Sequence, residues 1–212
     1  VLGGLGWYFQ NGRVDAVICL DVNPSFEITV NRRQSVLSVE GRNQEAEALL
    51  AGRDYRGWDI EATVETLMRT LDDRQYLTEN AENAVLLSVN GRDLSRADDL
   101  GQRLSLRIRE SVDSPQTPTT VLRQSYVEAE QDSADLAGVS AGKLRLARSL
   151  ADQLPGRSVE QLAALPMEEL ERLVLRSGLG SESLLIDRSA WAKDAAENNG
   201  HGDDPDNAQK DV

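Results

Sequence analysis

Asp21-Val22-Asn23-Pro24-Ser25 is the stretch whose residue types and spacing allow a specific reaction. In most Asn-X pairs the backbone nitrogen of X attacks the Asn side chain, and deamidation follows. Pro24 has no N–H, which closes that route. The reverse attack remains: the side-chain nitrogen of Asn23 closes on its own carbonyl carbon and expels the proline nitrogen. One fragment then ends in a succinimide, and the other begins at Pro24. The leaving amine must gain a proton and the attacking amide must lose one. Asp21 stands two residues away on the same strand face, placed to act as a base or proton shuttle. Ser25 is placed to hydrogen-bond the scissile carbonyl or to hold a water. It is not placed for the usual Ser acyl shift, which needs Ser directly after the bond that breaks.

As a bare dipeptide Asn-Pro is a common turn signal. Its setting here is unusual, because it joins two strongly strand-like runs with no Gly and almost no loop. The backbone must bend sharply inside a sheet. Proline cannot donate to the ladder and forces the preceding residue out of the helical region, a combination that invites local strain.

Other chemistry is scarce. Lys+Arg 23 against Asp+Glu 36 leaves a net charge of −13, which repels phosphate backbones and argues against nucleic-acid binding. One Cys and one His exclude a disulfide framework, a Cys-based zinc site and a His-paired metal site. Gly138-Val139-Ser140-Ala141-Gly142-Lys143-Leu144 is one residue short of a phosphate-binding loop, has Leu144 where Ser or Thr belongs, and reads as a turn entering a helix. Asp203, Asp204 and Asp206 lack the Gly and Glu of a calcium loop, and His201 sits in the same acidic stretch. Cys19, between Ile18 and Leu20, reads as an inert core thiol. No cofactor and no metal are expected.

The elements around Asn23 follow from periodicity. Val14 to Leu20 is a β-branched, apolar run that reads as a strand covered on both faces. Phe26, Ile28 and Val30 alternate with polar residues as a second strand, and Val36 to Val39 returns as a third, giving an antiparallel meander. Ala46, Leu49 and Leu50 suggest a short helix. Ile60, Val64, Leu67, Met68 and Leu71 mark a longer one behind a cap at Asp59. Asn83 to Val89 is another buried strand, Leu94 to Ile108 a long helix, and Val121 to Val127 the last strand expected. From Ala129 to Leu175 the pattern is short helices only, with Ser158 and Gln161 spaced as a capping box. From Ser177 the chain turns polar and is expected to be disordered. The expected fold class is α+β: an antiparallel sheet of four to five strands with helices packed on it, plus a small C-terminal helical subdomain. Val1 to Phe9 is too short to span a membrane, but Trp7-Tyr8-Phe9 before Gln10-Asn11-Gly12-Arg13 resembles a membrane helix emerging at the interface. The division is therefore 1–13 juxtamembrane, 14–128 the α+β domain, 129–176 the helical appendage and 177–212 the acidic tail.

Leu20-Asp21-Val22-Asn23-Pro24-Ser25-Phe26-Glu27, then Val30-Asn31, then Val36-Leu37-Ser38-Val39-Glu40, resembles the extracytoplasmic domain of RsgI-type anti-sigma factors. Ala84-Val85-Leu86-Leu87-Ser88-Val89 and Ser140-Ala141-Gly142-Lys143-Leu144 are similar to the same family, so the likeness runs from about Val14 to Leu175. The resemblance implies a SEA-like fold that cleaves itself at Asn23-Pro24, with the pieces staying paired. It also implies a single-pass protein on the extracytoplasmic face of a bacterial membrane, with a sigma factor bound through a cytoplasmic segment. Membrane proteases would act after the pieces separate. Cleavage would be a single intramolecular turnover, so no multiple-turnover enzyme is expected. The competing class is a non-cleaving extracytoplasmic interaction module in which Asn23-Pro24 is only a turn.

Overall fold

A computed structural model describes residues 12–79, 81–127, 139–179, 184–189 and 191. The chain opens with three strands, β1 (Val14–Asp21), β2 (Ser25–Asn31) and β3 (Val36–Gly41), followed by helices α1 (Gln44–Leu50) and α2 (Ile60–Asp73). Strand β4 (Asn83–Gly91), helix α3 (Leu94–Val112) and strand β5 (Thr119–Tyr126) come next. Helices α4 (Ala141–Gln153), α5 (Val159–Ala163) and α6 (Met167–Ser177) precede a last strand, β6 (Leu184–Asp187). The α+β class is as expected, and so is the antiparallel meander of β1 with β2 and β2 with β3.

The sheet has six strands in the order β3-β2-β1-β4-β5-β6, which puts β1 in its interior. Two features differ from the sequence expectation. β5 runs parallel to β4, in register from Asn83 against Thr119 to Asn90 against Tyr126. The cause is the connection: α3, 19 residues and about 28 Å long, carries the chain back to the end where β4 began. Leu184-Leu185-Ile186, three apolar residues in the stretch expected to be disordered, lie in β6 and pair antiparallel with β5. The Ser105 hydroxyl of α3 fastens that strand by donating to Asp187 Oδ2 at 2.6 Å.

Alternation divides the strand side chains between two cores. Ile18 and Leu20 of β1, with Phe26, Ile28, Val85, Leu87 and Val89, meet the apolar stripes of α2 and α3 on one face. Asp59 caps α2 by accepting from the N–H groups of Glu61 and Ala62, as its position predicts. On the other face Ala84, Leu86 and Leu122 pack against α4, α5 and α6. The Ser158–Gln161 capping box that starts α5 is present. The appendage is thus the third layer over half the sheet. Cys19 and Asp21, pointing opposite to Ile18 and Leu20, fall beneath it.

Candidate functional site

The β1–β2 hairpin closes on the pair Asp21 and Ser25, leaving Val22, Asn23 and Pro24 as its loop. The Val22 N–H donates to the Pro24 carbonyl at 2.9 Å inside the loop, and the Arg42 N–H donates to the Ser25 carbonyl at 2.9 Å from outside it. Val22 and Pro24 are buried while Asn23 between them is exposed. Asn23 has φ 84°, in the left-handed region. Few L residues adopt that conformation, and a following proline narrows the choice further. Strain of this type costs on the order of 1–3 kcal/mol and persists only where the surroundings enforce it. The ladders on either side and the buried flanking side chains enforce it here.

Asp21 is fully buried. Its Oδ2 accepts a hydrogen bond from the Ser140 hydroxyl at 2.6 Å, and its Oδ1 has no hydrogen-bond partner. Burial pushes its pKa up from the ordinary carboxylate value; the Ser140 and Ser25 hydroxyls and the charges of Lys143 and Arg42 oppose that rise. Lys143 lies in the first turn of α4, and burial in turn pulls its own pKa down. The four residues expected to act together, Asp21, Asn23, Pro24 and Ser25, therefore share one hairpin end. Ser140 and Lys143, which no local pattern links to the motif, join them from the helical appendage. The contact between Ser140 and Asp21 spans 119 residues.

The first turn of α4 is held against the sheet by close contact. Gly142 leaves no room for a side chain: a Cβ there would lie 2.1 Å from Ser88 Oγ and 2.5 Å from Ser88 Cβ. Gln124 Nε2 donates to both Ser88 Oγ and the Gly142 carbonyl, each at 2.7 Å, and so ties β4, β5 and α4 together. A glycine one position inside a helix that lowers helix propensity is the sequence signal of such an approach. Cys19 lies beside this contact, and burial pushes its thiol up to about 12, too high for a nucleophile near neutral pH. Among the described residues no group of three or more His, Cys, Asp or Glu side chains is arranged to hold a metal ion. His201, Asp203, Asp204 and Asp206, like Val1 to Asn11, lie outside the described residues.

Fold and hairpin together define an α+β sheet domain built around an interior strand that ends in a buried carboxyl, followed two residues on by a strained Asn-Pro loop. A family profile described as the anti-sigma factor RsgI-like central domain matches residues 15–149, and the chain belongs to that family. The matched span runs from β1 into α4, so it takes in both the hairpin and Ser140. Anti-sigma-I factor RsgI7 of Acetivibrio thermocellus is 22% identical over 155 residues, covering 73% of this chain and 28% of the relative. Anti-sigma-I factor RsgI3 of the same organism is 23% identical over 190 residues, covering 84% and 29%. Anti-sigma-I factor RsgI9 is 24% identical over 121 residues, covering 55% and 17%. The chain spans less than a third of the length of these relatives.

Proposed function

We propose that this chain is the extracytoplasmic part of a transmembrane anti-sigma factor that cleaves itself once between Asn23 and Pro24. Family membership supports the regulatory class. The observation that carries the cleavage is the left-handed Asn23, directly before proline and two residues from a buried carboxyl. Asn23 Nδ2 attacks the Asn23 carbonyl carbon, a ring C–N bond forms, and the C–N bond to Pro24 breaks. One proton leaves the side-chain amide and one reaches the prolyl nitrogen, so the step balances without a co-reactant. Asp21 takes and returns that proton, and Ser25 stands beside it. Strain in the intact loop raises the ground state and is relieved as the bond breaks.

In this reading the short piece continues into a single membrane span, although no helix among the described residues is long and apolar enough to cross one. A sigma factor is held on the other side of the membrane, and separation of the pieces opens the short one to intramembrane proteolysis. Intact mass under denaturing conditions tests the cleavage: fragments Val1–Asn23 and Pro24–Val212 are expected. Asn23→Ala, which removes the attacking nitrogen, should leave one full-length mass and a folded domain. Only full-length chain in the wild type after long incubation would establish the non-cleaving module instead.

A further inference from the structure

We infer that Ser140, at the N-terminus of α4, is a positioning residue for Asn23–Pro24 cleavage: its hydroxyl holds Asp21 Oδ2 and leaves Oδ1 as the oxygen available to the reacting hairpin. The inference rests on the cleavage proposed above and assigns part of its machinery to the third layer of the fold.

The hydroxyl has one proton, and its direction is set by the helix. Ser140 Oγ accepts from the Lys143 N–H at 3.0 Å as the N-cap of α4, which leaves its own proton free to point at Asp21 Oδ2, 2.6 Å away. Ser140 is itself fully buried, so no water competes for that proton. The cap thus fixes the serine, and the serine fixes the carboxyl. Asp21 sits at the end of β1, where a free side chain would choose among several rotamers. Gly142, seated on Ser88, keeps α4 close enough for the contact. The charges acting on Asp21 are Lys143 from α4 and Arg42 from the segment after β3, and the titratable side chains sharing its face of the sheet are Cys19 on its own strand and Glu27, paired with Cys19, on β2. Both cations favour the carboxylate, and so does the Ser140 donor. Burial disfavours it more strongly. The carboxyl is therefore held above its ordinary value, and removing one donor moves it further up.

The test follows cleavage of the 212-residue chain made by cell-free translation, quenched in denaturant at intervals between pH 5 and pH 9. In the wild type the rate rises with pH as Asp21 loses its proton. Ser140→Ala should move that rising limb to higher pH and slow cleavage about tenfold or more at any pH on the wild-type limb, the size of one hydrogen bond to a charged group. Ser140→Thr keeps a hydroxyl and a cap, and should restore the wild-type limb. Ser140→Gly, which caps a helix nearly as well as serine, gives the same comparison if the Ala chain does not fold. A folded Ala or Gly chain with an unchanged limb and rate would overturn the positioning role while leaving the cleavage itself standing. No cleavage in the wild type would instead remove the proposed function. If neither substituted chain folds, the uncleaved Asn23→Ala chain decides. A Ser140 hydroxyl proton shielded from exchange supports the contact, and one exchanging as fast as that of an exposed serine refutes it.

Discussion

Gly142→Ala is the sharpest perturbation of the contact between the third layer and the hairpin. The added methyl would start 2.1 Å from Ser88 Oγ and 2.5 Å from Ser88 Cβ, where ordinary contact is about 3.5–4.0 Å. Ser88 Cβ belongs to an interior strand and cannot swing aside, so α4 must lift by about 1–1.5 Å. At that displacement the 2.6 Å bond from Ser140 to Asp21 and the 2.7 Å bond from Gln124 to the Gly142 carbonyl both pass out of hydrogen-bond range. Overpacking costs about 1–3 kcal/mol, and a deprived buried acceptor about 1–3 more. The better helix propensity of Ala returns at most about 1 kcal/mol. A net loss of about 2 kcal/mol is expected, which lowers the urea midpoint by about 1 M at an ordinary m-value. The measurement uses Asn23→Ala as background, so that the protein unfolds as one chain. Ser88→Gly removes both offending atoms, so the double variant should recover more than 1 kcal/mol relative to the sum of the singles. A Gly142→Ala chain within about 0.5 kcal/mol of its parent, or a cycle with no coupling, would refute the close approach.

Two further outcomes are expected. The cleaved protein should elute as one species in native size exclusion and release residues 1–23 only in denaturant; a short fragment lost in plain buffer would contradict a stable clasp. Burial pushes the Glu171 carboxyl on α6 from 4.5 to about 7, against a hydrogen bond from Thr120 that lowers it. Between those values the native state keeps a proton that the unfolded chain has lost, so stability should fall as pH rises from about 4.5 to about 7. Glu171→Gln should flatten that fall in urea midpoints taken at pH 5 and pH 7.5, and an unchanged slope would count against the burial.

Local pattern made much of this fold legible. The alternation of Phe26, Ile28 and Val30 and the three- and four-residue steps from Ile60 to Leu71 each match the element formed, because one face of each must meet a core. The Asp59 cap and the Ser158–Gln161 box were readable for the same local reason. Strand direction is not local. Nothing in Val121-Leu122 says parallel; only the helix between β4 and β5 does, and its length had to be taken into account. β6 escaped because three apolar residues among polar ones carry no period, and its stability comes from β5 and Ser105. At the site, Asp21, Asn23, Pro24 and Ser25 were legible as a contiguous motif. Ser140 was not, since 119 residues separate it from Asp21 and the pairing exists only once α4 lies on the sheet. Gly142 was the one local clue.

The position of the break relative to the ladders reconciles strain with stability. β1 pairs with β2 from Val14 to Asp21 and with β4 from Ala16 to Asp21. The Asn23–Pro24 bond lies beyond the last of these pairs, so breaking it removes the left-handed constraint on Asn23 without removing a ladder hydrogen bond. A strand freed in this way would still give Ile18 and Leu20 to the core under α2 and α3, and Cys19 and Asp21 to the layer under α4. Withdrawing it would expose both cores at once and divide β2–β3 from β4–β5–β6, so the strand leaves only when the domain as a whole gives way. With each ladder bond worth about 1 kcal/mol net and each large apolar side chain about 1.5–3 kcal/mol, an interior strand is held far more firmly than an edge strand of equal length. The proposed cleavage at this loop would therefore convert a covalent link into a fold-dependent one, with the short piece held for as long as the sheet is folded and released when it is not.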